Sequence, residues 1–249
     1  MIFKHYYYLH VLKISGMEVS VKEFIGGARE AEGVTVIIDV FRAFSVACFA
    51  FDNGIRRIID VAEPDDSIDL RNRLAAETIL VGERDERKIP GFDYGNSPTE
   101  MMTANLSGKT MIHTTTAGTN GILNALNATE ILGAGLVNAA AVARYIRITQ
   151  PEKVTLVAMG YRAKETAEED IICALYIKDL LAGRERNISS EIDALRSGAG
   201  SRFFNRANLS FSPPTDFFLC TDLNRFNFVL KAVRTSPRQA ELFRMDMVG

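Results

Sequence analysis

The first residues to consider are an acid and a base at the end of an apolar run. In IIDVFRAFS, Asp39 and Arg42 follow a β-branched stretch and precede small, helix-forming residues. A carboxylate oxygen is a natural ligand for a hard cation such as Mg2+, and a guanidinium grips a phosphate through two parallel hydrogen bonds. The same residues support a plainer structure, in which Asp39 caps the next helix and Arg42 pairs with it or with a neighbour. Taken alone, the pair leaves both readings open.

Three further stretches carry comparable chemistry. GERDERKIPGFDYGNSP, residues 82–98, is long for a connection inside a compact domain, and such loops are usually functional or disordered. Its glycines and prolines favour a fixed path. Glu83 stands at its strand end as Asp39 does at its own, so the two carboxylates are expected on adjacent strands, sharing one Mg2+. Asp85 to Arg87 read as a solvated charged turn. In HTTTAGTNG, Thr114, Thr115, Thr116 and Gly118 open a helix, offering hydroxyls and free N–H groups to an anion. One threonine would suffice as a cap, and four in this loop favour an anion site. The GK[ST] ending of a Walker A loop is missing. His113 reads as a packed histidine. In GYRAKETAEEDIICA, Arg162 and Lys164 place positive charge on the same rim. Thr166 and Glu169 have capping-box spacing, which accounts for Glu169 structurally. Asp170 falls on the inward face with Cys173 and Ile177, so it is a candidate metal ligand or general base. Cys173 has no adjacent histidine and reads as core. A haloacid dehalogenase-type phosphatase would need a second Asp where Phe41 stands, which disfavours that chemistry.

These loops need a scaffold that brings strand ends together. Apolar strand patterns at 17–24, 34–39, 57–61, 78–81, 109–113, 129–133 and 153–159 alternate with helical patterns near 43–53, 65–76, 98–104, 117–127, 138–149 and 166–182. That rhythm predicts an α/β fold: three layers, with a mostly parallel sheet flanked by helices on both faces. In such sheets ligands bind beyond the carboxyl ends of the strands. After Gly183 the chain turns polar. The segment PPTDFFLCTDLNRFNFVLKA predicts a short helix, a turn at 222–224 and a last strand, forming a small C-terminal cap. We expect one domain over 17–249 and a disordered extension over 1–16.

Composition narrows the partners. A formal net charge of −2 gives no basic field for nucleic acid, and no stretch approaches the ~20 apolar residues of a membrane helix. Three cysteines set apart in apolar stretches read as reduced thiols of a cytoplasmic protein.

Taken in order, IIDVFRAFS, VGERDERKIPGFDYGNSP, HTTTAGTNGI, GAGLVNAAAVARYI, GYRAKETAEEDIICA and PPTDFFLCTDLNRFNFV resemble the 2-phosphosulfolactate phosphatase family over about residues 33–231. The resemblance implies a three-layer α/β fold and Mg2+-dependent hydrolysis of (R)-2-phospho-3-sulfolactate to 3-sulfolactate and phosphate. In methanogens that reaction lies on the route to coenzyme M. On this footing Asp39, Glu83 and Asp170 are expected to hold Mg2+. Arg42, the 114–116 turn and the Asn96–Ser97 amides would hold the phosphoryl group, and Arg84 and Arg162 the carboxylate and sulfonate. The chain departs from the family pattern at Ala117, in GERDE and at Gly160-Tyr161-Arg162. The alternative is a non-catalytic protein that binds a small phosphorylated or sulfonated acid. Family members also suggest a homodimer.

Overall fold

In the computed structural model, which describes residues 12–14, 16–74 and 77–247, short strands and helices alternate as the pattern predicts. The first half runs β1 (Leu12–Ile14), β2 (Met17–Glu23), α1 (Phe24–Arg29), β3 (Gly33–Ile38), α2 (Ala43–Asp52), β4 (Arg57–Val61), α3 (Pro64–Arg73), β5 (Thr78–Arg84), β6 (Arg87–Lys88) and α4 (Pro98–Thr103). The second runs β7 (Thr110–Thr114), α5 (Gly118–Asn124), β8 (Ala128–Ala134), α6 (Ala139–Thr149), β9 (Lys153–Ala158), α7 (Glu168–Leu181), α8 (Ser189–Leu195), α9 (Pro214–Cys220), β10 (Phe228–Ser236) and β11 (Gln239–Asp246). Of the extension expected to be disordered, residues 1–11 and 15 lie outside the described residues, while β1 pairs antiparallel with β2.

Among the described residues, eleven strands join one sheet in the order β1-β2-β9-β3-β8-β10-β11-β4-β7-β5-β6. β2, β9, β3 and β8 form one parallel block, and β4, β7 and β5 form another. Strands buried on both faces need apolar residues at every position. Along β3, Val34, Val36 and Ile38 pack with α6 and α7 residues such as Val142, Cys173 and Ile177, while Ile37 packs with the α2 and α5 side. Helices therefore cover both faces.

The C-terminal segment corrects the expected cap. β10 and β11 form an antiparallel hairpin that lies inside the sheet, β10 pairing with β8 and β11 with β4. The sheet is thus mixed. Phe228, Val229, Leu230, Ala240 and Leu242 are buried, but the outer half of each strand is largely exposed and polar. That half-polar pattern resembles a surface strand although the pairing is central. The helical part of the segment, α8, the 3-10 turns at 199–204 and 206–208, and α9, does cover the carboxyl edge.

The hairpin also separates strands expected to be neighbours. β3 and β5 have five strands between them, so Asp39 and Glu83 do not sit on adjacent strand ends. The turn from β7 into α5 closes that distance, because α5 crosses from its own strand to pack beside β3.

Candidate active site

A small cavity at the carboxyl edge leaves ≈ 50 Å³ open to water. Its lining includes Asp39, Arg42, Glu83, Asn96, Thr116 and Asp170. Arg162 stands at its rim in an ion pair with Asp85 at 2.8 Å. The fold therefore brings together seven of the residues singled out by their chemistry.

Asp39 is the floor. Its Oδ1 accepts the Ala43 N–H at 3.2 Å and its Oδ2 the Gly118 N–H at 2.8 Å, so one carboxylate caps the starts of α2 and α5. Only glycine fits at 118, where a Cβ would meet Ala43 Cβ at 2.7 Å and Asp39 Oδ2 at 3.0 Å. Glu83 works the same way. It accepts the Thr116 N–H at 2.7 Å, the Thr116 hydroxyl at 3.2 Å and the Glu86 N–H at 3.0 Å. The last of these closes a two-residue turn at Asp85 and Glu86, both at positive φ, between β5 and β6. The threonine-rich turn is thus occupied by the protein's own carboxylates. Thr114 bonds Ser67 at 2.7 Å, and Thr115 bonds Thr119.

Asp170 ties two strand ends together, accepting Val40 N–H at 2.8 Å and Gly160 N–H at 2.9 Å. Glu169 departs from the capping-box expectation. Ala167 is the N-cap residue of α7, and the Thr166 hydroxyl donates to Glu23 at 2.7 Å. Glu169 instead faces the cavity, 4% exposed, with its Oε2 unpartnered.

Arg42 is held by Asp216, its Nη1 donating to Oδ2 at 2.6 Å and to the Phe211 carbonyl at 2.7 Å. Its plain reading as an ion-paired residue therefore holds, but with a partner from α9 rather than Asp39. Ser97 caps α4 and donates to Asp216 Oδ1 at 2.7 Å, one layer behind the cavity. Arg84 turns away to the Ala62 carbonyl at 2.7 Å.

Arg202 was not singled out in the sequence. It lines the cavity, donates to Glu86 at 2.8 Å and to the Phe41 carbonyl at 3.2 Å, and leaves its buried Nε without a partner. Its only sequence signal was an arginine between a glycine-rich turn and two phenylalanines, in a segment without strand-end logic.

Crowding carboxylates in a dry site raises their pKa values. Burial lifts Asp39 to about 6, helped by the charge of Glu83 and opposed by the Ala43 and Gly118 N–H groups. Burial lifts Glu169 to about 7, with Asp39 adding to it and Arg202 opposing it. Asp170 is raised well above the usual range by burial, then by Glu169 and Asp39.

These raised values set the sign of a pH effect. Folding lifts Asp39 from 3.8 to about 6 and Glu169 from 4.5 to about 7, so the folded chain holds more protons across that window. Stability from these groups is greatest near pH 4, falls as pH rises towards 7, and stays low above it. Denaturant midpoints are expected to fall between pH 5 and pH 8, with a shallower fall in Glu169→Gln. A steeper fall in the variant would contradict the assignment.

Among the described residues, no three His, Cys, Asp or Glu side chains form a ready ligand set. Mg2+ does not require one, since it keeps waters and takes one or two carboxylates with substrate phosphate. The oxygen-only donors, the orphaned Glu169 Oε2 and the burial-strained carboxylates fit such an ion.

Comparison with known proteins bears on the same residues. The 2-phosphosulpholactate phosphatase family model matches residues 20–232. The chain belongs to the 2-phosphosulpholactate phosphatase family. The family match begins in β2 and ends in β10, so it contains every element that lines the cavity. A Bacillus subtilis protein named "Probable 2-phosphosulfolactate phosphatase" is 31% identical over 204 residues, 80% of this chain and 86% of that protein. A protein of the same name from Caldanaerobacter subterraneus subsp. tengcongensis is 38% identical over 140 residues, 56% of this chain and 57% of its own length. The Clostridium tetani protein, also of that name, is 37% identical over 147 residues, 59% of this chain and 62% of its own. The match thus spans less than two thirds of the Caldanaerobacter and Clostridium proteins. No helix among the described residues is long and apolar enough to cross a membrane.

Proposed function

We propose that this chain is a Mg2+-dependent phosphatase that hydrolyses (R)-2-phospho-3-sulfolactate, or a closely similar small phosphorylated acid, to the hydroxy acid and phosphate. The observation that carries this reading is one cavity, inside the family match, where buried carboxylates face Arg42, Arg162 and Arg202. The three free, buried cysteines support a cytoplasmic setting.

Bound Mg2+ would neutralise phosphoryl oxygens and sharpen the attacking water as a nucleophile. Asp39 would hold it, with Glu83 beside it, and the free oxygen of Glu169 would face the waters that such an ion keeps. Asp170 keeps the Val40 and Gly160 backbones in place around that floor. The rest is positioning and charge stabilisation, which is most of what phosphoryl transfer needs. Arg202 offers its free Nε–H to the dense negative charge of the substrate, and Arg162 receives the sulfonate or carboxylate at the rim. Hydrolysis forms a bond from water oxygen to phosphorus and breaks the bond to the lactate oxygen. The water proton needs an acceptor and the departing oxygen a proton. Glu169, its carboxyl lifted by burial to about 7, would take the first in its ionised form, and the departing oxygen would draw its proton from solvent water.

The closed cavity is far smaller than the ~300–1,000 Å³ of typical ligand pockets. Substrate entry therefore needs the rim to part. The Arg162–Asp85 pair is half exposed, so it is the cheapest contact to open.

The test is a phosphate-release screen over small phosphorylated acids with and without Mg2+. Turnover of phosphosulfolactate that requires Mg2+ is expected, and Glu169→Gln should lower it by roughly 10²- to 10⁴-fold. Ligand binding without turnover would make the chain a binding protein instead.

A further inference from the structure

Behind Asn96 runs a buried polar chain that none of these roles uses. Asp60 on β4, His113 on β7 and Asn96 in the loop before α4 are 1%, 2% and 5% exposed. Asp60 Oδ1 lies 3.1 Å from His113 Nδ1, and His113 Nε2 lies 3.2 Å from Asn96 Oδ1. The Thr119 hydroxyl reaches the same Asp60 oxygen only at 3.5 Å, and Asp60 Oδ2 has no partner. Among the described residues, His113 is the one side chain that forms an ion pair with Asp60.

A buried carboxylate with an unpaired oxygen is costly unless a cation stands beside it. The carboxylate can only accept, so Nδ1 carries a hydrogen. A ring that supplies the cation Asp60 otherwise lacks carries one on Nε2 too. The ring is then an imidazolium paired with Asp60. A doubly donating ring settles which way the amide points. The oxygen of Asn96 turns back to His113, and the NH2 turns to the cavity that Asn96 lines.

We infer that Asp60 and His113 are positioning residues that lock the Asn96 amide with its NH2 towards the cavity, where it donates to an oxyanion of the substrate. The inference rests on the phosphatase reading above and adds a buried relay to it. A packed histidine would need neither a buried acid on one nitrogen nor a cavity-lining amide on the other.

Asn96→Asp separates the two roles. The new carboxylate keeps shape and still accepts from His113, but it cannot donate. The probe is inorganic phosphate, titrated by calorimetry into the full chain. Asn96→Asp is expected to weaken phosphate binding roughly 10- to 100-fold and to raise KM by a similar factor, with a smaller change in kcat. Asp60→Asn, which never touches the ligand, should weaken binding in the same direction and change the 15N signals of His113 from imidazolium to neutral imidazole. The chain has three histidines, so loss of a signal in His113→Gln assigns it. Phosphate affinity unchanged in Asn96→Asp, or a neutral His113 in the unaltered protein, would overturn the inference while leaving the phosphatase reading intact. Neither turnover nor phosphate binding by the unaltered chain would overturn both.

Discussion

Replacing Asp39 with Asn is expected to cut Mg2+-dependent phosphate release by roughly 10³-fold, the scale on which a charge-stabilising group in a dry site acts. Asn preserves the volume beneath Gly118 and can accept one of the two N–H bonds that Asp39 receives from Ala43 and Gly118. What it removes is the negative charge that would draw a hard cation to the floor of the cavity. Its stability should move the other way from its activity, or hardly move. The buried charge at Asp39 is unfavourable, as its pKa of about 6 records, so neutralising it offsets the ~1 kcal/mol of a lost hydrogen bond. At pH 8 the variant is therefore expected to unfold near the midpoint of the unaltered chain while losing turnover. Phosphate release retained at the level of the unaltered chain would sink the assignment of Asp39.

The second large effect is on stability. Asp216 is fully buried and Arg42 is 4% exposed, and their 2.6 Å pair joins α9 to the start of α2. Asp216 also receives Ser97 Oγ at 2.7 Å, the Thr99 N–H at 3.0 Å and the Thr99 hydroxyl at 2.6 Å. One carboxylate thus anchors the helical cover, the long loop before α4 and the arginine at the cavity. Asp216→Ala leaves the buried Arg42 guanidinium without its counter-charge and the Ser97 hydroxyl and Thr99 N–H without their acceptor, a loss of about 3–5 kcal/mol. For a chain of this size that corresponds to a fall of about 6–20 °C in Tm. Scanning calorimetry would read it directly. A fall of only one or two degrees would mean that Arg42 finds another partner, and the buried pair would not be the anchor argued here. Activity should fall with it, because Arg42 and the Asn96 loop share that anchor.

Both effects trace to groups that were legible in the sequence to different degrees. Asp39 stood out because a charge at the end of Val34–Ile38 breaks an apolar run, and strand ends are where α/β sheets gather ligands. Glu83 and Asp170 stood out for similar local reasons, and most of the strand and helix rhythm up to Leu181 followed from periodicity alone, the short β1, α1 and β6 being the exceptions. Asp216, Arg202 and Glu169 did not stand out. Asp216 and Arg202 come from helical turns that approach the site only when the C-terminal segment folds over it, and Glu169 has a spacing that a helix cap explains equally well.

The sequence by itself determined most of the elements, the apolar strands with charged ends and three of the acids that meet there, Asp39, Glu83 and Asp170. Each depends on residues within a turn or a strand of one another, so local pattern carries it. Only the tertiary structure decided that the last hairpin enters the middle of the sheet and separates β3 from β5. It also decided that Arg42 pairs with Asp216, 174 residues away, and that Thr116 and Gly118 bind Glu83 and Asp39. Those choices rest on which distant segment can satisfy a buried charge. That is a property of the packed chain, not of any window along it.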